Sequence, residues 1–176
     1  QTFLVTSVRG YGPLPMMAAS ASLGVMAFMN AALGVRFFAG ADLPEKPADP
    51  RALVKQGYEK GVPMGGTISA ASKSPTFTAW ASKDPEGANL DRIQIIKGWV
   101  DAKGEPQDKT FDVAWSGDRK PGKSGKVPAV GSTVDLQKAT YTNEIGSGEL
   151  MGTWTDREFD PKQHAIYYVR VLEIPT

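Results

Sequence analysis

From Thr76 onward the chain is cut by turn residues into runs too short for helices and patterned with a period of two. In Thr76 to Ser82, Phe77, Ala79 and Ala81 fall on one side, with Thr76, Thr78 and Trp80 on the other. A half-buried strand needs that alternation, because successive side chains leave it on opposite faces. Ile93 to Asp101 repeats it, with Ile93, Ile95 and Lys97 opposite Gln94, Ile96 and Gly98. Ala102-Lys-Gly-Glu105 then reads as a hairpin turn, and Thr110 to Ser116 as the partner strand. Arg36 to Ala39, Ser132 to Leu136, Glu149 to Thr155 and Ala165 to Ile174 complete the set, the last rich in β-branched and aromatic residues. Six or seven strands without alternating helices predict a mainly β protein, an antiparallel β-sandwich rather than a doubly wound sheet.

One short helix is expected among them. Asp49 followed by Pro50 is a helix start, with Asp as the cap and Pro at the first helical position. The helix should run to about Tyr58 and end near Gly61. The 19 glycines and 13 prolines favour many turns over a helix bundle. Asp84-Pro-Glu-Gly87 is one such turn, and Val62-Pro-Met-Gly-Gly-Thr67 contains paired glycines that open backbone paths closed to other residues.

Residues 1–35 form a separate segment. Gly10 to Val35 carries no charged side chain and is rich in Ala, Ser and Gly. It is long enough to span a bilayer, yet too poor in Leu, Ile and Val to insert strongly. Three readings stand: a helix packed on the rest of the protein, a signal-like or membrane segment following Arg9, or a segment outside its native context. We expect the helix, and no membrane partner.

Composition removes several kinds of chemistry. The chain has no cysteine and one histidine, His164. It therefore lacks the ligands for a finger-type or tri-histidine zinc site, and it can hold neither a cysteine nucleophile nor a disulfide. A net charge of +1 gives no footprint for nucleic acid. No cofactor is expected.

Several motifs have simpler explanations than the chemistry they suggest. Gly117-Asp-Arg-Lys-Pro-Gly122-Lys123-Ser124 matches the phosphate-loop pattern, but that loop needs a helix starting at the Lys. Gly125, Pro128 and Gly131 prevent one, so nucleotide binding is not expected. Asp156-Arg-Glu158-Phe-Asp160 spaces its acids like a calcium loop, without the required Gly and closing Glu; it reads as an exposed turn. His164 has no nucleophile elbow to serve and reads as structural. Trp99, Trp115, Trp154, Tyr167 and Tyr168 fall in strands, where packing explains them. Trp80, alternating with threonines, is the best candidate for an exposed ring.

Certain segments carry more specific information. They are Arg36-Phe-Phe-Ala-Gly40, Lys60-Gly-Val-Pro-Met-Gly-Gly66, the run from Lys83 to Trp99, Asp112-Val-Ala-Trp-Ser-Gly-Asp-Arg119 and Tyr167 to Thr176. Together they resemble the C-terminal part of a large bacterial family known as a domain of unknown function. Its upstream part is similar to the polymerase-and-histidinol-phosphatase (PHP) class of metal-dependent hydrolases. The resemblance implies a truncated chain with two parts, an apolar segment 1–35 and a β-rich region 36–176. It also implies a periplasmic or secreted location, and an upstream catalytic domain that holds the metal ligands. No catalytic or metal-binding residue carries over to this sequence.

The resulting expectation is a non-catalytic β-sandwich portion that packs against, or shapes the cleft of, that upstream domain. Met64-Gly-Gly66 and Trp115 to Arg119 are the expected contact segments, with Asp118 and Arg119 as the binding residues. The alternative is a stand-alone glycan- or protein-binding module that uses exposed aromatics, Trp80 first. A carboxylate-only enzyme pairing Asp156 with Glu158 or Asp160 ranks last, because groups so close in one turn rarely converge on one substrate.

Overall fold

The computed structural model describes residues 2–9, 33–69 and 73–176. Its strands are β1 (Thr2–Arg9), β2 (Gly34–Gly40), β3 (Val62–Pro63), β4 (Thr67–Ser69), β5 (Thr76–Ser82), β6 (Leu90–Val100), β7 (Pro106–Trp115), β8 (Glu149–Thr155) and β9 (Ala165–Glu173). One helix, α1 (Pro50–Lys60), lies between β2 and β3. The strands form a five-stranded sheet, ordered β4-β1-β9-β6-β7, and a four-stranded sheet, ordered β3-β2-β5-β8. The pairings are antiparallel apart from β1 with β4. The mainly β expectation holds.

The strand inventory differs from the sequence reading in three ways. The short β3 and β4 were not anticipated, and residues 2–9 form β1. Gly34 and Val35, at the end of the apolar segment, open β2 instead of extending a helix. The rest of the expected helix, residues 10–32, lies outside the described residues. Ser132–Leu136 is not a strand. Asp135 accepts backbone hydrogen bonds from Gln137 and Lys138 at 3.0 and 3.2 Å, and exchanges backbone bonds with Thr140. An Asp side chain that bonds its own following amides makes a turn, which ends any ladder there. Among the described residues, no helix is long and apolar enough to cross a membrane.

The core follows from the period-two pattern. Phe77, Ala79 and Ala81 of β5 face inward and are fully buried. They meet Ile93 and Ile95 of β6 and Tyr167, Val169 and Val171 of β9 in one cluster drawn from both sheets. The Phe77 ring lies 4.3 Å from Tyr167 across the sandwich, and 5.8 Å from Phe37 and 5.7 Å from Trp154 within its own sheet. Large aromatic rings dominate the energetics of such an interior.

Helix α1 starts as its sequence predicts, with Asp49 accepting from the Ala52 amide at 2.8 Å. It lies on the outer face of the four-stranded sheet, where Leu53 packs with Phe38 and Leu43. The helix sits so close that a Cβ on Gly57 would stand 2.4 Å from the Phe38 ring. This helix changes the expectation for Trp80, whose indole it half-covers. Period two gives the side of the strand a residue occupies, not what lands on that side.

The expected β6–β7 hairpin is present, with Val100 opposite Pro106. Gly104 takes a φ of +86° in its turn, the left-handed region that favours glycine. Asp101 accepts from the amides of Lys103 and Glu105 and from the Gln107 side chain. These bonds, the one from Glu105 foremost, hold its carboxyl below the ordinary carboxylate range.

The β6–β7 ladder slips at Ile93/Gln94, leaving Val113 as an extra residue in β7. That bulge brings the rims of the two sheets together. A Cβ on Gly152 of β8 would lie 2.4 Å from the Val113 carbonyl oxygen and 2.9 Å from the Ala114 Cβ. Both obstacles belong to a paired strand and cannot rotate away. Gly152→Ala is therefore expected to cost about 1–3 kcal/mol, read as a lower denaturant midpoint with an unchanged slope, whereas Gly148→Ala, which meets open space, should be nearly silent.

Candidate functional site

A cleft of about 500 Å³ opens at the rim where β7 and β8 meet, bounded by Trp154, Phe111, Arg157, Glu158, Glu45 and Lys46. Trp154 reaches it because it shares the inward side of β8 with Leu150 and Gly152, and its ring lies tilted against Phe111 with centroids 4.3 Å apart. Thr153, which points outward, pairs instead with Thr78 through their hydroxyls at 3.3 Å.

Beneath the cleft lies a buried ionic cluster. Lys97 is in the inward-facing register of β6, and its side chain is 4% exposed. A lone ammonium there would be costly, so it needs a counter-charge. Asp156, which immediately follows β8 and is wholly buried, provides it at 2.6 Å. The same carboxylate oxygen accepts the Tyr167 hydroxyl at 2.5 Å, and the other accepts the Glu158 amide at 2.9 Å. Lys97 also donates to the Glu158 carbonyl at 3.1 Å and lies over the Trp99 and Tyr167 rings. Burial, then the hydrogen bond to Asp156, push the Tyr167 hydroxyl well above its ordinary range, so it remains a donor.

Nearer the surface, Lys109 pairs with Glu158 at 2.6 Å and lies over the Phe111 ring. The turn Asp156 to Asp160, expected to be exposed, is therefore split. Asp156 is a buried anchor, and Glu158 and Asp160 stay outside. The Asp156–Glu158 acid/base pairing has no free Asp156 to work with. The signal for this was in the sequence: an inward Lys97 demands a buried carboxylate.

A second cluster explains Arg119. Its guanidinium donates to the Ser116 and Asp91 carbonyls at 3.0 and 2.9 Å and to Pro128 at 2.7 Å, and it pairs with the Asp91 carboxylate at 2.7 Å. Arg92 beside it binds the Asp91 and Asp112 carboxylates and the carbonyls of Val127 and Pro128. The Val127 amide donates to Asp112 at 2.7 Å, and Gln94 joins Asp112 to Arg170. Two arginines thus clip the 116–128 segment to β6. Asp118 stands exposed on the same segment. Trp80 belongs to the other sheet, so no single site contains all three predicted binding residues.

The phosphate-loop match folds without a helix, turning sharply at Gly122–Gly125. His164 is half-buried just before β9. Among the described residues, no three His, Cys, Asp or Glu side chains are grouped to hold a metal ion. Met64, in the glycine turn after β3, packs against the main core.

These features define a β-sandwich domain with two buried ionic clusters, one at its rim and one on an outer face. Residues 24–176 match the family described as a protein of unknown function (DUF3604), and the chain belongs to that family. No curated protein matches it. No solved structure matches it either.

Removing one member of a buried ion pair leaves the other unsatisfied. Lys97→Met is expected to cost about 3–5 kcal/mol, against under about 1 kcal/mol for Lys109→Met at the exposed pair, both measured by urea unfolding. The Tyr167 shift adds a pH dependence. Because its folded value lies above the unfolded one near 10, its stabilisation is complete below pH 10 and is lost as pH rises further. The stability advantage of the wild type over Tyr167→Phe should therefore fall by up to about 1.4 kcal/mol per pH unit above 10; an advantage that stays level to pH 11 would contradict the buried phenol.

Proposed function

We propose that this chain is the non-catalytic β-sandwich portion of an exported bacterial metal-dependent hydrolase, packing against a PHP-like catalytic domain. One observation carries the reading: its buried acids and bases are committed to holding strands and loops. Asp156 is occupied by Lys97 and Tyr167, and Asp91 and Asp112 are occupied by Arg92 and Arg119. A general acid or base needs a proton-accepting atom free to meet substrate, and these side chains have given theirs to structure. The resemblance of Arg36 to Gly40, Lys83 to Trp99 and Asp112 to Arg119 to the C-terminal part of such proteins supports the upstream hydrolase. The charged rim around Trp154, with Lys46, Glu45 and Arg157, suits contact with another polar protein surface.

The test is metal content and hydrolysis by this chain. Purified protein is expected to hold far less than one equivalent of manganese, zinc or iron after dialysis, and to leave p-nitrophenyl phosphate unhydrolysed with each metal added. About one metal per chain, together with turnover abolished by Asp156→Asn, would overturn the reading.

A further inference from the structure

The groove beside α1 has a different character from the rim. It is about 860 Å³, with Trp80 as its floor, Arg51, Val54 and Lys55 of α1 on one flank and Glu149 of β8 on the other. We infer that this groove binds an acidic saccharide, with a sugar ring stacked on Trp80 and its carboxylate held by Arg51 and Lys55. The inference does not depend on the hydrolase reading above.

The indole is placed to line the groove. On the outer face of the sheet, Trp80 is directly opposite Arg36 and diagonal to Gly34. A Cβ on Gly34 would lie 3.9 Å from the Cζ3 and Cη2 atoms of the indole. The six-membered ring therefore rests beside bare backbone, where most residues would place a side chain. From this position Trp80 lines the groove and supplies its aromatic surface. Sugar rings present C–H faces that suit an aromatic platform, and their hydroxyls suit a polar border.

The indole nitrogen lacks a partner. Trp80 Nε1 is buried with no hydrogen-bond partner. A buried donor left unsatisfied costs about 1–3 kcal/mol. A Cβ position at Gly34 that is 3.9 Å from the ring leaves the indole room to tilt, and a tilt that turned Nε1 to the groove would let a ligand oxygen relieve that cost.

Charge surrounds the ring as well. Arg36, Arg51 and Lys55 are exposed around the platform. Lys55 has only a 4.0 Å partner, Glu59, and both are solvated. Of the nearby carboxylates, Asp49 is occupied in capping α1. Glu149 remains to accept from sugar hydroxyls. Arg36, Arg51 and Lys55 thus outnumber the carboxylates Asp49 and Glu149 around the ring, which favours a uronate over a neutral sugar. A protein partner would be expected to seek a broader apolar surface than one half-buried indole.

The experiment is calorimetric titration of this chain with oligomers of galacturonate, mannuronate and glucuronate, and with a neutral cello-oligosaccharide of equal length. Indole N–H signals are followed by NMR in parallel. Saturable binding of at least one uronate oligomer is expected, weakened by salt and accompanied by a shift of the Trp80 N–H signal. Trp80→Ala and the double variant Arg51→Ala/Lys55→Ala should each weaken it by at least about tenfold, while Trp80→Phe retains part of it. Should Trp80→Ala fail to fold, Gly34→Leu tests the same platform, because its side chain would displace the indole. Absence of binding to every uronate, or binding indifferent to these changes, overturns the inference. Equal binding of the neutral oligosaccharide overturns the role of the carboxylate.

Discussion

Asp156 is where the two sheets are tied at the rim. Its backbone amide donates to Pro75 ahead of β5. Its side chain receives Lys97 from β6 and Tyr167 from β9. One carboxylate therefore joins the end of the four-stranded sheet to two central strands of the other. The aromatic interior contributes more burial, but rings pack in many orientations and fix register weakly. An ammonium, a phenol and an amide converging on one buried carboxylate accept far fewer arrangements. A register slip of one residue in β6 would turn Lys97 out and leave Asp156 unpaired.

The sheets' outer faces are treated differently, and function follows that difference. On the five-stranded sheet, Arg92 and Arg119 hold the 116–128 segment down through backbone carbonyls, so both guanidinium charges are turned inward. On the four-stranded sheet, α1 covers Phe38 but stops short of covering Trp80. Charge is spent on structure in the first case and left at the surface, around an aromatic ring, in the second. That contrast favours the Trp80 groove over the Arg119 loop as a place for recognition.

Much of this architecture was legible in the sequence because its signals are local. The alternation in Thr76 to Ser82, the Asp49-Pro50 helix start and the turn at Ala102 to Glu105 each depend on a few neighbouring residues. What escaped depends on distant ones. Strands β3 and β4 have two and three residues and exist only because neighbours pair with them. Ser132 to Leu136 has strand-like residues, but Asp135 closes a turn on itself. Trp80 alternates like an exposed residue, yet a helix from earlier in the chain lies beside it. Arg119 was expected to contact a partner, whereas its guanidinium is engaged within the fold. Its partners Asp91 and Pro128 are brought to it only by the fold.

Lys97 and Asp156 form a structural ion pair that ties β6 to the end of β8. A double-mutant cycle measures this directly, comparing unfolding free energies of the wild type, Lys97→Met, Asp156→Leu and the double variant. A coupling of about 2–3 kcal/mol is expected, with the double variant more stable than the sum of single losses allows. Additivity within about 0.5 kcal/mol would contradict it.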